Sequence, residues 1–318
     1  MGPKLVGLVD PPGDAQAIVE GIQRLERLGI PAVWLTTAAP GYDALTIFSA
    51  AAVRTENIKL GTAITPTWPQ HPIAAVQQVQ VIANLAPGRF RFGIGSANRK
   101  DMTGTFGLDF RQPVTNVREF AQIVKSLLQT GEVDFDGRHY QAHASIDQPM
   151  PDVPVMAAAL GRGAYQACGE VTDGAISWLC PGQYLRDVAL PALQEGAQKV
   201  GRPTPPLTAH FIACVHENID EVRAVVRDEY GFFAQSEAYI RMFAAAGYSE
   251  VQNTQDWSDG MIDAVTFSGD EDAVAERIRQ LFDWGASEVF ATVMTAGSNR
   301  EASWERTVSL LAEVNKTL

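Results

Sequence analysis

Two glycine-bearing segments are the places where this sequence could hold a ligand through its backbone. In Gly93-Ile94-Gly95-Ser96-Ala97-Asn98 a pair of glycines ends an apolar run. The third glycine of a dinucleotide fingerprint is absent and a long polar stretch follows, so the segment does not complete that motif. Glycine at such a place serves either tight packing or close backbone approach to a flat ligand. In Leu160-Gly161-Arg162-Gly163-Ala164 small residues stand between an apolar run and a short helical one. Backbone N–H groups and a helix N-terminus would there face an anion, with Arg162 adding charge, which suits a phosphate. Any strand-to-helix turn can contain two glycines, so both readings stay open.

The side-chain candidates are fewer. Asp10, Thr36 and Thr37 sit at the ends of apolar runs, where a barrel enzyme would place its reacting groups; for Asp10 an N-capping or turn role before Pro11 competes. Trp68 and Trp178 could wall a substrate, although aromatic residues at such positions are more often packing. His139 and His143 are four apart, but the Asp136-Gly137 turn signal between the flanking runs argues against one helical face and hence against a metal pair. His71, His210 and His216 are isolated. Cys168, Cys180 and Cys214 are odd in number and widely spaced, which implies neither a disulfide framework nor a zinc knuckle. Phosphate-loop, serine-hydrolase, kinase and zinc-protease motifs do not occur.

The elements that would position these groups alternate in a regular way. Short β-branched runs are read as strands at Lys4–Val9, Ala32–Thr36, Ile58–Ile64, Phe90–Gly95, Val155–Ala159, Ala175–Leu179, Thr208–Val215 and Glu288–Met294. Amphipathic stretches lie between them: Asp14 caps a helix that Gly29 ends, and further helices are expected at Tyr42–Arg54, Ile73–Leu85, Asn116–Gln129, Ala164–Glu170, Tyr184–Val200, Glu221–Tyr230 and Asp272–Trp284. Ser96–Pro113 is long enough for a functional loop, Val133–Tyr140 reads as a small hairpin outside the main sheet, and Tyr230–Phe267 reads as an insertion with an irregular middle. Eight strands, each followed by helix and without a linker, predict one α/β domain over residues 1–318, a single (β/α)8 TIM barrel with insertions after strands four and seven. The 318 residues exceed the roughly 250 that such a barrel needs.

Composition limits the partners. With 25 basic and 37 acidic side chains the net charge is −12, and Arg89 with Arg91 and Arg99 with Lys100 are too short to form the basic stripe that nucleic acid requires. The apolar run before Pro11 is too short for a signal or a membrane span, so a cytoplasmic protein acting on a small molecule, with neither nucleic acid nor membrane as partner, is expected.

Specific residues carry a family resemblance across nearly the whole chain. Lys59-Leu60-Gly61-Thr62-Ala63-Ile64-Thr65-Pro66 with His71-Pro72, and Pro87-Gly88-Arg89-Phe90-Arg91-Phe92-Gly93-Ile94-Gly95, resemble the bacterial luciferase-like superfamily. Tyr42-Asp43-Ala44-Leu45-Thr46 and the Ala-Ala-Leu-Gly and Glu-Val-Thr-Asp-Gly elements after Pro154 extend it. The segment Ala157–Gly174 is more similar to the F420 (deazaflavin)-dependent oxidoreductases than to the FMN-dependent monooxygenases that work with a flavin reductase. The resemblance implies an isoalloxazine-like ring at the C-terminal mouth, backed by a bulge in strand three that often contains a non-prolyl cis peptide and is matched here by Ala63-Ile64. It places Thr62, Ala63 and Ile64 behind the ring, Gly95, Ser96 and Ala97 along its polar edge and linker, and Gly161, Arg162 and Gly163 at its phosphate. It also makes a homodimer a candidate assembly.

One departure is visible. Many deazaflavin relatives carry an Asp-His pair at the end of strand two, whereas Val33-Trp34-Leu35 here runs into Thr36-Thr37. Threonine can hydrogen-bond a carbonyl or a pyrimidine edge but cannot carry a proton charge near neutral pH. The expected activity is hydride transfer between F420 and a small organic substrate, with protonation by water or substrate. The alternatives are an FMN-dependent monooxygenase using oxygen and a flavin-binding protein without catalysis.

Overall fold

The computed structural model describes residues 4–9, 13–38 and 40–318. Its sheet closes on itself. The strands β1 (Val6–Val9), β2 (Ala32–Leu35), β3 (Lys59–Thr62), β4 (Phe90–Gly95), β5 (Val155–Ala158), β6 (Gly174–Ile176), β7 (Leu207–Val215) and β8 (Glu288–Val293) pair in sequence order. Each neighbouring pair is parallel, and β8 returns to β1 through Gly7 opposite Phe290. Helices link consecutive strands, so the architecture is the (β/α)8 barrel that the alternation predicted.

Both faces of the strands are buried, for different reasons. Outward residues such as Leu8, Val33, Leu60, Phe92 and Val155 join one apolar cluster with the surrounding helices, while Val9, Trp34, Met156, Ile176 and Phe290 form a second cluster inside the barrel. The register explains how so narrow an interior holds a tryptophan. Gly61 lies opposite Trp34 on the adjacent strand, and a Cβ there would stand 2.5 Å from the indole ring. Gly93 faces Met156 in the same way, and its Cβ would meet the Thr62 carbonyl at 1.9 Å. Large and absent side chains thus alternate around the barrel, as close packing of the lower layers demands.

Below this layer the floor is charged. Arg91 pairs with Glu288, each side chain 12% exposed, and Glu288 also accepts from Trp34 Nε1 at 3.1 Å. The Arg91 guanidinium lies 4.1 Å from the Trp34 ring centroid, so the indole receives a cation on its face and a carboxylate at its edge.

Several boundaries differ from those read in the sequence. Strand three, paired with both β2 and β4, ends at Thr62; after the cis Ala63–Ile64 bond, Thr65–Pro66 resumes pairing with β4 alone. The expected hairpin is displaced: Glu132–Asp136 pairs with Gln141–Ser145, and the turn spans 137–140 instead of centring on Asp136-Gly137. The insertion after β7 is helical where an irregular middle was expected, with Glu237–Ala245, Val251–Thr254 and Asp259–Val265, and Phe267 belongs to a strand, Thr266–Gly269, added beside β7. The expected single helix Tyr184–Val200 divides into Gly182–Tyr184, Leu185–Ala189 and Leu190–Lys199. A helix at Arg300–Asn315 was not foreseen; its Asn315 side chain exchanges two hydrogen bonds with the Val6 backbone, tying the end of the chain to β1.

Candidate active site

At the C-terminal mouth the inward positions change character. Continuing the β2–β3 register places Ala63 beside Thr36, continuing the β4–β5 register places Ala158 beside Gly95, and Ile64 of the bulge lies against Gly95 between the two pairs. Their small size leaves a shallow floor where a lower layer would hold a bulky residue. Ala63, Ala158, Ser96 and Ala97 are half-buried and Thr36 is exposed, so this floor opens to solvent. Gly95 is required by Ile64, whose Cγ1 would lie 2.9 Å from an added Cβ. Packing therefore accounts for glycine at both Gly93 and Gly95.

The bulge that carries Ala63 and Ile64 is held from two sides. Ala63 N donates to Leu35 O at 2.8 Å, Thr37 N donates to Ile64 O at 3.2 Å, and Thr36 Oγ1 donates to Ala63 O at 3.1 Å. Thr37 Oγ1 in turn accepts from Ala44 N at 3.1 Å. Thr36 and Thr37 thus meet the bulge as hydrogen-bonding supports. Thr62 is placed beneath the floor, where its hydroxyl donates to Gly93 O at 2.6 Å and accepts from Gly93 N at 2.9 Å. It locks β3 to β4 and presents no free polar atom to a ring. Asp10 lies outside the described residues.

The phosphate-suited turn is formed. Gly161 is the N-cap of a helix from Arg162 to Val171, has no side chain to cap it, and is followed by the N–H groups of the first helical turn. A Cβ at Gly161 or Gly163 would touch nothing within 4 Å, so packing does not require glycine at either position. Arg162 does not turn its charge to this end; its guanidinium pairs with Glu195 at 2.5 Å.

Trp68 and Trp178 part company. Trp68 is tilted against Phe110 at 5.2 Å and meets His139 edge-on at 5.4 Å, packed under the loop after β4. Trp178 stands at the mouth, its ring centroid 4.0 Å from His210 and 5.5 Å from Tyr230. His210 stacks in turn on Phe290 at 4.2 Å, and Phe290 on Trp34 at 4.8 Å, so an aromatic column runs from the mouth to the charged floor.

His210 was isolated in the sequence and is central here. Its Nε2 lies 2.8 Å from Thr292 Oγ1, and burial pushes its pKa well below 6.5. The imidazole is therefore neutral near pH 7. Sign follows directly: the unfolded chain binds this proton below about pH 6.5 while the folded one resists it. Stability conferred by a neutral His210 is complete above the unfolded pKa and falls as pH drops towards the folded one, with a limiting slope of about 1.4 kcal/mol per pH unit. Urea melts of the native protein and His210→Asn between pH 7.5 and 5 should differ by that slope; parallel curves would contradict it. The signal available for His210 was strand parity, since Thr208, His210 and Ile212 share the inward face, but a strand buried on both sides shows no alternation to reveal it.

The other candidates carry no chemistry. Burial pushes the Cys168 and Cys180 thiols up to about 12, so neither is a thiolate nucleophile. His143 sits on the hairpin between Asp134 and Asp136 and its pKa is raised, chiefly by the Asp134 hydrogen bond. Among the described residues no cluster of three metal-ligating side chains is present, and no helix is long and apolar enough to cross a membrane.

The fold agrees with the comparison to known proteins. Residues 4–288 match the family described as luciferase-like monooxygenase, and the chain belongs to that family. A curated relative, the F420-dependent glucose-6-phosphate dehydrogenase of Beutenbergia cavernae, is 34% identical over 199 residues, covering 60% of this chain and 59% of the relative. The chain thus aligns with about three fifths of that relative's length. The 5,10-methylenetetrahydromethanopterin reductase of Methanolobus tindarius is 24% identical over 295 residues, 87% of this chain and 89% of the relative. Among solved structures, the coenzyme F420 dependent tetrahydromethanopterin reductase of Methanopyrus kandleri superposes with a TM-score of 0.79 at 20% identity, over 99% of both chains.

Proposed function

We propose that this chain is an F420-dependent oxidoreductase that transfers a hydride to or from a small organic substrate at the C-terminal mouth of the barrel. The observation that carries the reading is one run of small residues: Gly95 and Ala158, with Ile64 of the bulge against Gly95, lead along β5 to the uncapped Gly161–Gly163 turn. A flat ring and a phosphate on one molecule match that pair of features. When bound, F420 supplies the hydride acceptor or donor. Ile64 and Ala63 would back the ring, Gly95, Ser96 and Ala97 would follow its edge, and the N–H groups of Arg162 and Gly163 would meet the phosphate.

The chain's own residues position and exclude more than they transfer. Thr36 can orient a polar edge but holds no transferable charge, and neutral His210 is a hydrogen-bonding group in this environment. Proton exchange is therefore left to water or substrate, and the protein contributes orientation and an apolar enclosure. The family description favours one second reading, an FMN-dependent monooxygenase supplied by a flavin reductase.

Titrating F420 and FMN into the purified protein separates these. F420 should bind more tightly than FMN, and Gly161→Asp should weaken F420 about tenfold or more, because its carboxylate competes for the helix N-terminus. The same carboxylate suits a helix N-terminus, so the variant should melt no lower than the native protein. Preference for FMN with oxygen uptake by the reduced form would establish the monooxygenase instead. Binding of neither would remove both cofactors, and tight F420 binding without turnover on any carbonyl or alcohol would leave a carrier protein.

A further inference from the structure

Resting on the reading of the Ala63–Gly95–Ala158 floor as the seat of the hydride carrier, we infer that the substrate above it is an uncharged, flat, largely apolar molecule with one hydrogen-bond acceptor, and not a phosphorylated sugar. The side of the mouth opposite the floor is aromatic. Trp178 meets Tyr230 at 5.5 Å and Phe233 at 6.2 Å, both edge-on, and Phe233 contacts Tyr239 at 4.8 Å. Tyr230 and Phe233 come from the segment between β7 and β8, so the corner is built by the insertion and one strand end together. All four rings are half-buried, which leaves apolar faces for a ligand.

Charge points the same way. Segments 177–183, 216–218 and 294–299, which leave the mouth ends of β6, β7 and β8, contain no lysine or arginine. Between Tyr230 and Val265 there are five acidic residues and one arginine, Arg241, which pairs with Glu237, while Asp259 and Asp263 pair with Arg223 and Arg227 of the preceding helix. The nearest cations in sequence are Arg99 and Lys100 after β4, Arg162 after β5, which pairs with Glu195, and Arg300, which opens the helix after β8. A phosphate or carboxylate held against the aromatic corner would lose its hydration without gaining a cationic partner from those strand-end segments. Besides the tyrosine hydroxyls, a polar group at this level is Thr292, half-buried on β8 beside His210. A neutral imidazole that donates through Nε2 leaves the Thr292 hydroxyl proton for a carbonyl or imine acceptor.

The test is calorimetric titration of 2-acetylnaphthalene and of glucose 6-phosphate into the protein with and without F420, with F420 titrated into the same preparation. Saturable binding of the naphthyl ketone, none of the sugar phosphate at millimolar concentration, and at least a tenfold loss for Phe233→Ala are expected. Phe233→Leu keeps the volume and should lose at least threefold, so the inference does not depend on the alanine variant folding. Saturable sugar phosphate binding overturns it, as does an F420-loaded protein that ignores the ketone. If F420 is not bound but the ketone is, the substrate class stands and the cofactor reading fails; if neither is bound, both fail.

Discussion

Replacing Glu288 by alanine should lower the stability of the barrel by about 3–5 kcal/mol, because it leaves a buried cation without its counter-ion. Glu288 serves Arg91 and the Trp34 indole N–H together, and both side chains of the ion pair are 12% exposed. Removing the carboxylate orphans two donors in a space enclosed by Trp34 and the lower ends of the strands. Glu288→Gln should cost less, since the amide oxygen can keep the Trp34 bond. The double replacement Arg91→Met with Glu288→Leu should recover much of the loss, because exchanging a buried pair for apolar volume is commonly neutral. Urea denaturation of the three variants measures this; an alanine variant within about 1 kcal/mol of the native protein would show that water reaches the pair and shares its charge.

Gly93→Ala should be the second large effect, and it should reach function. The added methyl would stand 1.9 Å from Thr62 O and 2.8 Å from Ile176 Cδ1, one of them backbone that cannot rotate aside. Overpacking of this kind costs about 1–3 kcal/mol or more. It would also break the paired hydrogen bonds between Thr62 and Gly93, moving the end of β3 from which Ala63 and Ile64 start. The expected result is a destabilised protein and, on the proposed F420 reading, an F420 affinity lower by about tenfold or more, since the proposed backing surface shifts with the strand. Gly104→Ala is the control, because a Cβ there meets nothing within 4 Å. Equal F420 affinity in the Gly93 variant would show that the bulge is held from β2 alone.

Much of the barrel could be read before any coordinates because its determinants are local. Asp14 caps its helix by accepting from Ala17 N, as its position before an amphipathic stretch implied, and Gly29 takes φ +82° at the other end. Phe90–Gly95 was bounded correctly by Pro87-Gly88 on one side and the polar loop on the other. The end of β3 was not, because its apolar run continues unbroken through Ile64 and only the partner strands show that pairing changes there. The insertion after β7 was read as irregular because its helices are short and lack long periodic stretches.

The site divides along the same line. Ala63, Gly95 and the Gly161 turn sit where a motif and a strand end coincide, so a linear reading can propose them. His210, Thr292, Glu288 and Arg91 matter through contacts between strands distant in sequence: Trp34 and Glu288 are separated by 254 positions. No spacing within the chain announces such a pair. Thr62 shows the reverse error, since position alone put it behind the ring while its hydrogen bonds commit it to Gly93.

The charged floor bears on the order of events in turnover. A barrel stoppered at its lower end by Arg91, Glu288 and Trp34 has a single doorway, so every molecule that enters must leave by the same route. If a hydride carrier lies on the floor with its partner above it, the two must queue: the carrier arrives first and departs last. Steady-state kinetics would then show a compulsory sequence, with product competing against substrate for the carrier-loaded form alone.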